Sequence, residues 1–356
     1  MKFVTQPTLL IDSKKVISNI RRMKRKADES GVVFRPHFKT HQNLQVAEFF
    51  RQEGVSKITV SSVSMAEEFA SQGWNDITIA FPVNLREMDQ INQLAKKIQL
   101  NLLVDSVFTI RFLDQHASNH LTTLIKIDTG YHRTGLLPSD PEIDNILKEI
   151  ASSPKLTFGG FLTHAGHTYQ TKEKAEILDI MEQSREQLIS LKHHHERFYP
   201  EFIISYGDTP SCSLATHFHG FDEIRPGNFV YNDVMQLHLG ACSPGDIAVV
   251  TACPVVSIIK EREELAIYGG AVHLSKEHIE ADQGFQLYGY VVRLDGDLRW
   301  SDPIPGAFVY SLSQEHGLIS MPKKELLTFK PGDLVGIMPI HSCLTANLLR
   351  ENFLMI

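Results

Sequence analysis

The chain has 356 residues, 42% of them hydrophobic, which is enough material for one large barrel and a smaller second domain. Its formal charge of −7, without a cluster of Lys and Arg, argues against nucleic acid or an anionic membrane as the main partner. We expect a cytoplasmic protein with a small soluble substrate, because neither a secretion signal nor a bilayer-spanning apolar run is visible. Four scattered cysteines, too few for a disulfide framework, should be reduced.

Short apolar segments alternate with helix-like stretches in the first two thirds of the chain. The first such helix, over residues 13–30, begins with an Asp12-Ser13 capping signal. Eight strand–helix units predict a closed parallel (β/α)8 barrel over residues 12–235. An open doubly wound sheet is disfavoured, because the loop after the first strand reads PHFKTHQN and is not glycine-rich. The eight segments are VVFRPHFK, KITVSSV, DITIAFP, IQLNLLVD, LTTLIKID, FGGFLTHA, FIISYGDT and EIRPGNFV.

The helical period fades beyond about residue 236, where strand-like runs such as ACPVVSII, ELAIYGGAV and YGYVVRL are separated by turn formers. This pattern predicts an all-β domain over residues 236–356. Such a sheet needs a covered edge, and we expect the N-terminal residues 1–11 to join it through an extended segment over residues 8–11.

The polar residues that close the barrel strands are the candidates for chemistry, because the carboxyl ends of barrel strands form the active-site face. In chain order they include Lys39, Asn84, Asp105, Asp128 and His164. Lys39 lies in RPHFKTH and is a candidate nucleophile, although a lone strand-end lysine more often only reaches solvent.

Two small-residue loops follow the last two barrel strands, where barrels commonly bind phosphate. They are GDTPS, which begins at Gly207, and RPGN, which begins at Arg225. A nucleophilic lysine together with a phosphate site indicates a cofactor that carries both an aldehyde and a phosphate, which is pyridoxal phosphate.

Seven segments of the sequence resemble those of a known family. The segments RPHFKTH, KIDTGYHRTG, FLTHAGHTY, GDTPS, EIRPGNFV, SLSQEHG and PIHSC are similar, in this order, to the D-serine dehydratase and D-threonine aldolase group, which has the alanine-racemase-like fold of type III pyridoxal-phosphate enzymes. The resemblance covers nearly the whole chain. It implies that Lys39 carries the cofactor's Schiff base, that Arg133 faces the cofactor phenolate, and that His164 and Tyr169 line the substrate side. The remaining expected cofactor contacts are Tyr206, Gly207, Asp208, Thr209, Arg225, Gly227 and Asn228.

His341 and Cys343 follow the apolar run LVGIMPI, and strand alternation would place both side chains on one face. Imidazole and thiolate together suit zinc, although a His-x-Cys without context is more often a buried Cys beside an unrelated His. The resemblance favours the metal, because zinc occupies this position in the dehydratases; a harder ion such as Mn²⁺ is the alternative. The roles of His316 and Tyr231 stay open, and we assign no function to the run at residues 193–195.

These features predict a homodimeric lyase that acts on a β-hydroxy D-amino acid, with D-serine dehydratase as the first choice. Cys343 favours zinc and elimination, whereas the aldolases commonly have Asp there and prefer a harder ion, which keeps D-threonine aldolase as the alternative. A racemase is disfavoured because it needs no metal. A non-catalytic cofactor-binding regulator is disfavoured because such short proteins usually lack a C-terminal domain.

Overall fold

The computed structural model describes residues 4–281 and 284–356, and this part of the chain groups into two compact units. The barrel unit comprises residues 21–39 and 47–227. The strand unit comprises residues 4–20, 40–46 and the described part of 228–356. The domain limits predicted above stay predictions, and residues 1–3 of the predicted second domain lie outside the described residues.

The strands are numbered in chain order. They are β1 Thr8–Ile11, β2 Val33–Phe34, β3 Lys57–Val60, β4 Asp76–Pro82, β5 Gln99–Val104, β6 Leu121–Lys126, β7 Leu156–Leu162, β8 Ile203–Tyr206, β9 Glu223–Ile224, β10 Val249–Ile259, β11 Glu264–Tyr268, β12 Ile279–Ala281, β13 Phe285–Leu287, β14 Gly289–Leu294, β15 Trp300–Leu312, β16 His316–Ser320, β17 Leu334–Pro339 and β18 Phe353–Met355.

The α-helices are numbered in the same way. They are α1 Ser13–Glu29, α2 Leu44–Gln52, α3 Val63–Ser71, α4 Met88–Ala95, α5 Val107–His116, α6 Glu142–Ser152, α7 Lys174–His195, α8 Thr209–Leu214, α9 Val234–His238, α10 Ala271–Leu274, α11 Lys323–Leu326 and α12 Ser342–Leu348.

Helix α1 illustrates how local sequence sets an element. Asp12 caps it as predicted, because its carboxylate accepts hydrogen bonds from the Lys14 and Lys15 backbone N–H groups at 2.9 and 3.1 Å. Its buried residues recur at helical spacing, so one face is apolar along the whole helix. They are Val16, Ile20, Met23 and Ala27.

Strands β2 to β9 form an eight-stranded parallel sheet in the order β2-β9-β8-β7-β6-β5-β4-β3. The ring is completed by a parallel bridge between His37 and Thr59, since β2 itself is only two residues long. Seven of the eight apolar segments in the sequence contain one of these strands, and FGGFLTHA covers all of β7 except its first two residues, which confirms the predicted barrel.

The strand unit contains a mostly antiparallel sheet in the order β11-β16-β15-β14-β17-β10-β1-β18. Strands β10 and β11 also pair with each other, so six of the strands curl into a closed ring. Strand β1 pairs with β10 and β18, which confirms that the extended N-terminal segment joins this sheet. Of the helices within the described residues, none combines the length and the apolar composition of a bilayer-spanning helix.

Candidate active site

Lys39 lies in a turn directly after the bridge that closes the barrel. Its neighbour Phe38 is fully buried and packs against Phe50, Phe69 and Trp74, with ring centroids 5.0, 5.0 and 5.1 Å away. The Phe38 backbone N–H also donates to the Thr59 carbonyl at 2.8 Å. Phe38 therefore fixes the position of the turn, while Lys39 stays exposed. An amine has to be exposed in this way to react with a ligand.

Lys126, at the end of β6, is a second lysine of the barrel interior, and it is only 6% exposed. Burial, followed by repulsion from Arg225 and Arg133, lowers the pKa of Lys126 to about 7, although Asp128 and Asp105 oppose this shift. The two arginines thus act on the pKa of Lys126 more strongly than the two carboxylates do. An anionic ligand beside these cations would offset their mutual repulsion.

His164 follows β7, and its Nδ1 donates a hydrogen bond to the Gly207 carbonyl at 2.7 Å. Burial and then Lys39 hold the pKa of His164 well below its usual value, and Arg133 and Lys126 act in the same direction. The imidazole is therefore neutral at neutral pH, and its Nε2 is left as an acceptor because Nδ1 carries the proton.

The two predicted phosphate loops lie side by side in the barrel unit. Asp208 caps α8 by accepting from the Ser211 backbone N–H at 2.7 Å. The Gly227 N–H donates to Thr209 Oγ1 at 3.3 Å, and the Thr209 N–H donates to the Tyr169 hydroxyl at 3.4 Å. Backbone N–H groups from both loops thus meet around Thr209, where they suit a phosphate.

Two of the expected cofactor contacts are engaged with protein groups instead. Tyr206 is fully buried, with its hydroxyl on Ser211 Oγ at 3.0 Å and its ring stacked on Phe221. Arg225 is 4% exposed and donates to Ser205 Oγ at 2.7 Å and to the Thr163 carbonyl. Both side chains therefore hold the loops in place through hydrogen bonds to neighbouring protein groups. The two loops also lie close together, because a Cβ at Gly207 would lie 3.0 Å from the Arg225 backbone.

Arg133 and Asn228, two further expected cofactor contacts, differ from Tyr206 and Arg225 in their surroundings. Arg133 is exposed, and its guanidinium lies 4.9 Å from the centre of the Tyr131 ring. Asn228 belongs to the strand unit, where its side-chain amide donates to Asp233 Oδ2 at 2.6 Å and approaches Cys343 Sγ at 3.5 Å. The structure thus groups the Asn228 side chain with Cys343. His341 and Cys343 are the predicted metal ligands and are called the metal pair below.

The metal pair itself comes together, but not on a strand. Strand β17 ends at Pro339, His341 is the residue before α12, and Cys343 lies in the first turn of that helix. The prediction of strand alternation was therefore wrong. Asp233 explains the turn, because its Oδ2 accepts from both the backbone N–H and the hydroxyl of Ser342, at 2.9 and 3.2 Å, and so caps the start of α12.

His341 and Cys343 lie two residues apart at the start of α12. Burial alone would lower the pKa of His341, but the neighbouring Cys343 and the contact with Glu277 raise it to about 11. Thr40 Oγ1 lies 3.2 Å from Cys343 Sγ, and His341 Nδ1 lies 2.5 Å from Glu277 Oε2. An imidazole and a thiol are a donor set that fits a soft divalent ion, which would displace the proton on His341 when it binds.

Sequence reasoning missed three residues of these sites. Lys126 is the last residue of β6 and lies two residues before Asp128, which was a candidate. Because residues two apart in a strand point to the same face, Lys126 could have been predicted to point the same way as Asp128. Glu277 contacts His341 from 64 residues away and Asp233 contacts Ser342 from 109 residues away, and local sequence carries no signal for such contacts. Of the residues left open, Tyr231 is fully buried and His316 is exposed at the start of β16.

Comparisons with known proteins agree with this architecture. A sequence profile described as alanine racemase, N-terminal domain, matches residues 11–234, and one described as a putative serine dehydratase domain matches residues 248–355. These matches confirm the resemblance: the chain belongs to the alanine-racemase-like, fold type III pyridoxal-phosphate family, in its D-serine dehydratase and D-threonine aldolase group.

Individual relatives make the kind of enzyme more specific. The D-serine dehydratase of Dictyostelium discoideum is 29% identical over 373 residues, which cover 97% of this chain and 92% of the relative. The D-threo-3-hydroxyaspartate dehydratase of Delftia sp. (strain HT23) is 28% identical over 350 residues, which cover 95% of this chain and 91% of the relative. The chain is accordingly an enzyme of the pyridoxal-phosphate-dependent lyase kind.

The same Delftia enzyme provides the structural comparison. Its structure superposes with a TM-score of 0.89 over 97% of this chain and 93% of that chain. A second structure of it, with the same TM-score, identity and coverage, is a cysteine-to-alanine mutant in the metal-free form.

Proposed function

We propose that this protein is a D-serine dehydratase that uses pyridoxal phosphate and zinc to convert D-serine into pyruvate and ammonia. The observation that carries the proposal is the placement of His341 and Cys343 two residues apart at the start of α12 in the strand unit, where Thr40 and Asn228 contact the Cys343 sulfur. A thiolate selects a soft ion such as zinc over Mg²⁺ or Mn²⁺. The two relatives described above are dehydratases of β-hydroxy D-amino acids, and the metal-free cysteine mutant of one supports a metal site that depends on cysteine.

The barrel unit fits pyridoxal phosphate in its donor chemistry. Lys39 offers an exposed amine for covalent attachment to the aldehyde. The N–H groups around Gly207, Thr209 and Gly227 would hold the phosphate, and Arg133 the phenolate. When bound, the cofactor supplies the ring system that accepts the electrons released at the substrate Cα.

The chain's own residues would divide the remaining work. Lys39 Nζ would be the base that removes the α-proton. His164 and Tyr169 line the substrate side, and His164 is restricted to one tautomer by its bond to the Gly207 carbonyl. His341 and Cys343 hold zinc, which when bound supplies a Lewis acid for the departing β-hydroxyl.

Two further attributes belong to the proposal. We place the enzyme in the cytoplasm, which is supported by its four free cysteines, Cys212, Cys242, Cys253 and Cys343. We expect it to be a homodimer, which light scattering of the purified protein would test.

The experiment that tests the proposed function is a comparison of substrates. The purified, cofactor-loaded protein is incubated with D-serine, D-threonine and D-threo-3-hydroxyaspartate, with and without zinc, and keto acids are separated from glycine. We expect keto acid and ammonia in equal amounts, and more of both with zinc. Keto acid at the same rate in metal-free protein would remove zinc from the proposal.

A further inference from the structure

The run of three histidines at the end of α7 includes two side chains that meet a carboxylate from another helix. His194 and His195 lie in the last turn of α7, and Asp144 lies in the first turn of α6. One nitrogen of each imidazole and one oxygen of Asp144 all lie within 4.8 Å of one another. All three residues belong to the barrel unit and are separate from the residues assigned to the reaction.

The spacing within this group is too wide for direct hydrogen bonding. His195 Nδ1 and Asp144 Oδ1 are 3.8 Å apart, beyond the range of a direct hydrogen bond. A zinc ion with bonds of about 2.0–2.2 Å to imidazole and carboxylate would separate tetrahedral ligand atoms by roughly 3.4 Å. Small side-chain rotations would therefore bring all three atoms to metal-binding distance.

His195 has the properties of a fixed ligand. It is 5% exposed, and its ring packs against Phe161 with centroids 5.7 Å apart. The partial negative charge at the end of the long helix α7 also favours a cation there.

We propose that Asp144, His194 and His195 form a second zinc site that links α6 to α7 on the helical layer of the barrel unit. Its ligands are two imidazoles and one carboxylate, with water completing the coordination. The site would stabilise the folded barrel unit and take no part in the reaction, because none of its residues belongs to the proposed catalytic or cofactor-binding groups.

The variants His194→Ala and Asp144→Asn test this site, because both side chains are exposed and their loss should not disturb folding. His193→Ala is the matched control, since it removes a neighbouring histidine that is not part of the group. The cofactor-loaded full-length protein is dialysed against zinc chloride, and zinc per chain and the Tm are measured.

We expect wild type and the His193 variant to bind one more zinc per chain than the His194 and Asp144 variants, and zinc to raise the Tm of the first two only. The extra ion should persist in Cys343→Ala, which separates this site from the metal pair. Activity on D-serine should stay within about twofold in the His194 variant. Equal zinc content in all four proteins, or an equal loss in the His193 control, would overturn the proposal.

Discussion

At the residue scale, electrostatics determine what the barrel end can bind. Lys126 is buried among Arg225 and Arg133, and its pKa falls to about 7. Lys39 remains exposed one residue after the fully buried Phe38. One lysine thus provides an accessible amine, while an anionic ligand bound close to the other would favour its charged form.

The pKa of Lys126 predicts a pH dependence of folding. Between about pH 7 and 10.5, the ordinary pKa of a lysine, the unfolded chain binds a proton on Lys126 that the folded chain does not, so stability should rise with pH. We expect the free energy of unfolding of the cofactor-free wild type to gain up to about 1.4 kcal/mol per pH unit over Lys126→Met, measured by urea denaturation. The exposed Lys148→Met is the control, and parallel curves for wild type and Lys126→Met would refute the prediction.

Lys39 predicts a spectroscopic result. Lys39→Ala should lack the visible absorption of lysine-bound cofactor and should lose turnover. Lys39→Arg keeps the charge but cannot form the covalent bond, and should behave in the same way. The check is absorption spectroscopy followed by borohydride reduction and peptide mapping, and label retained on another lysine of the alanine variant would exclude Lys39 as the attachment site.

At the scale of elements, the metal pair depends on where β17 ends and α12 begins. The sheet ends at Pro339, and Asp233 caps α12 through Ser342. Cys343 thereby enters a helix turn, where Asn228 and Thr40 contact its sulfur. The position of this short helix therefore determines the geometry of the two ligands.

Removal of the cysteine ligand should separate metal binding from cofactor binding. We expect Cys343→Ala to lose zinc and most pyruvate formation while it retains the absorption of bound cofactor, because Lys39 and all the proposed cofactor contacts except Asn228 lie in the barrel unit. Metal analysis and absorption spectra of the same sample provide the measurement. The half-buried Cys242→Ala should keep both, and full zinc content in Cys343→Ala would contradict the assignment.

At the scale of the whole molecule, the sequence was sufficient for the architecture but not for the details of the site. Each barrel strand has its own apolar run, so periodicity located all eight. The phosphate loops were visible as glycine-containing turns after the last strands. By contrast, the cap on α12 comes from Asp233, 109 residues before Ser342, so local sequence does not reveal it. For this reason strand alternation was wrongly applied to His341 and Cys343, where a helix begins.

The same limit applies to side-chain directions. Arg225 and Tyr206 stay predicted cofactor contacts, and the structure adds that both are buried, with hydrogen bonds to Ser205 and Ser211 respectively. Whether a strand-end side chain points toward a ligand or supports a loop depends on packing that one sequence does not reveal.

The partition of D-threonine between two reactions is the most direct test of the proposed dehydratase. Elimination converts it to 2-oxobutanoate and ammonia, whereas aldol cleavage gives glycine and acetaldehyde from the same substrate. With cofactor and zinc bound, the account predicts that 2-oxobutanoate exceeds glycine, with ammonia equal to the keto acid. Glycine and acetaldehyde as the main products, at rates above keto-acid formation, would contradict it and assign the protein to the aldolases.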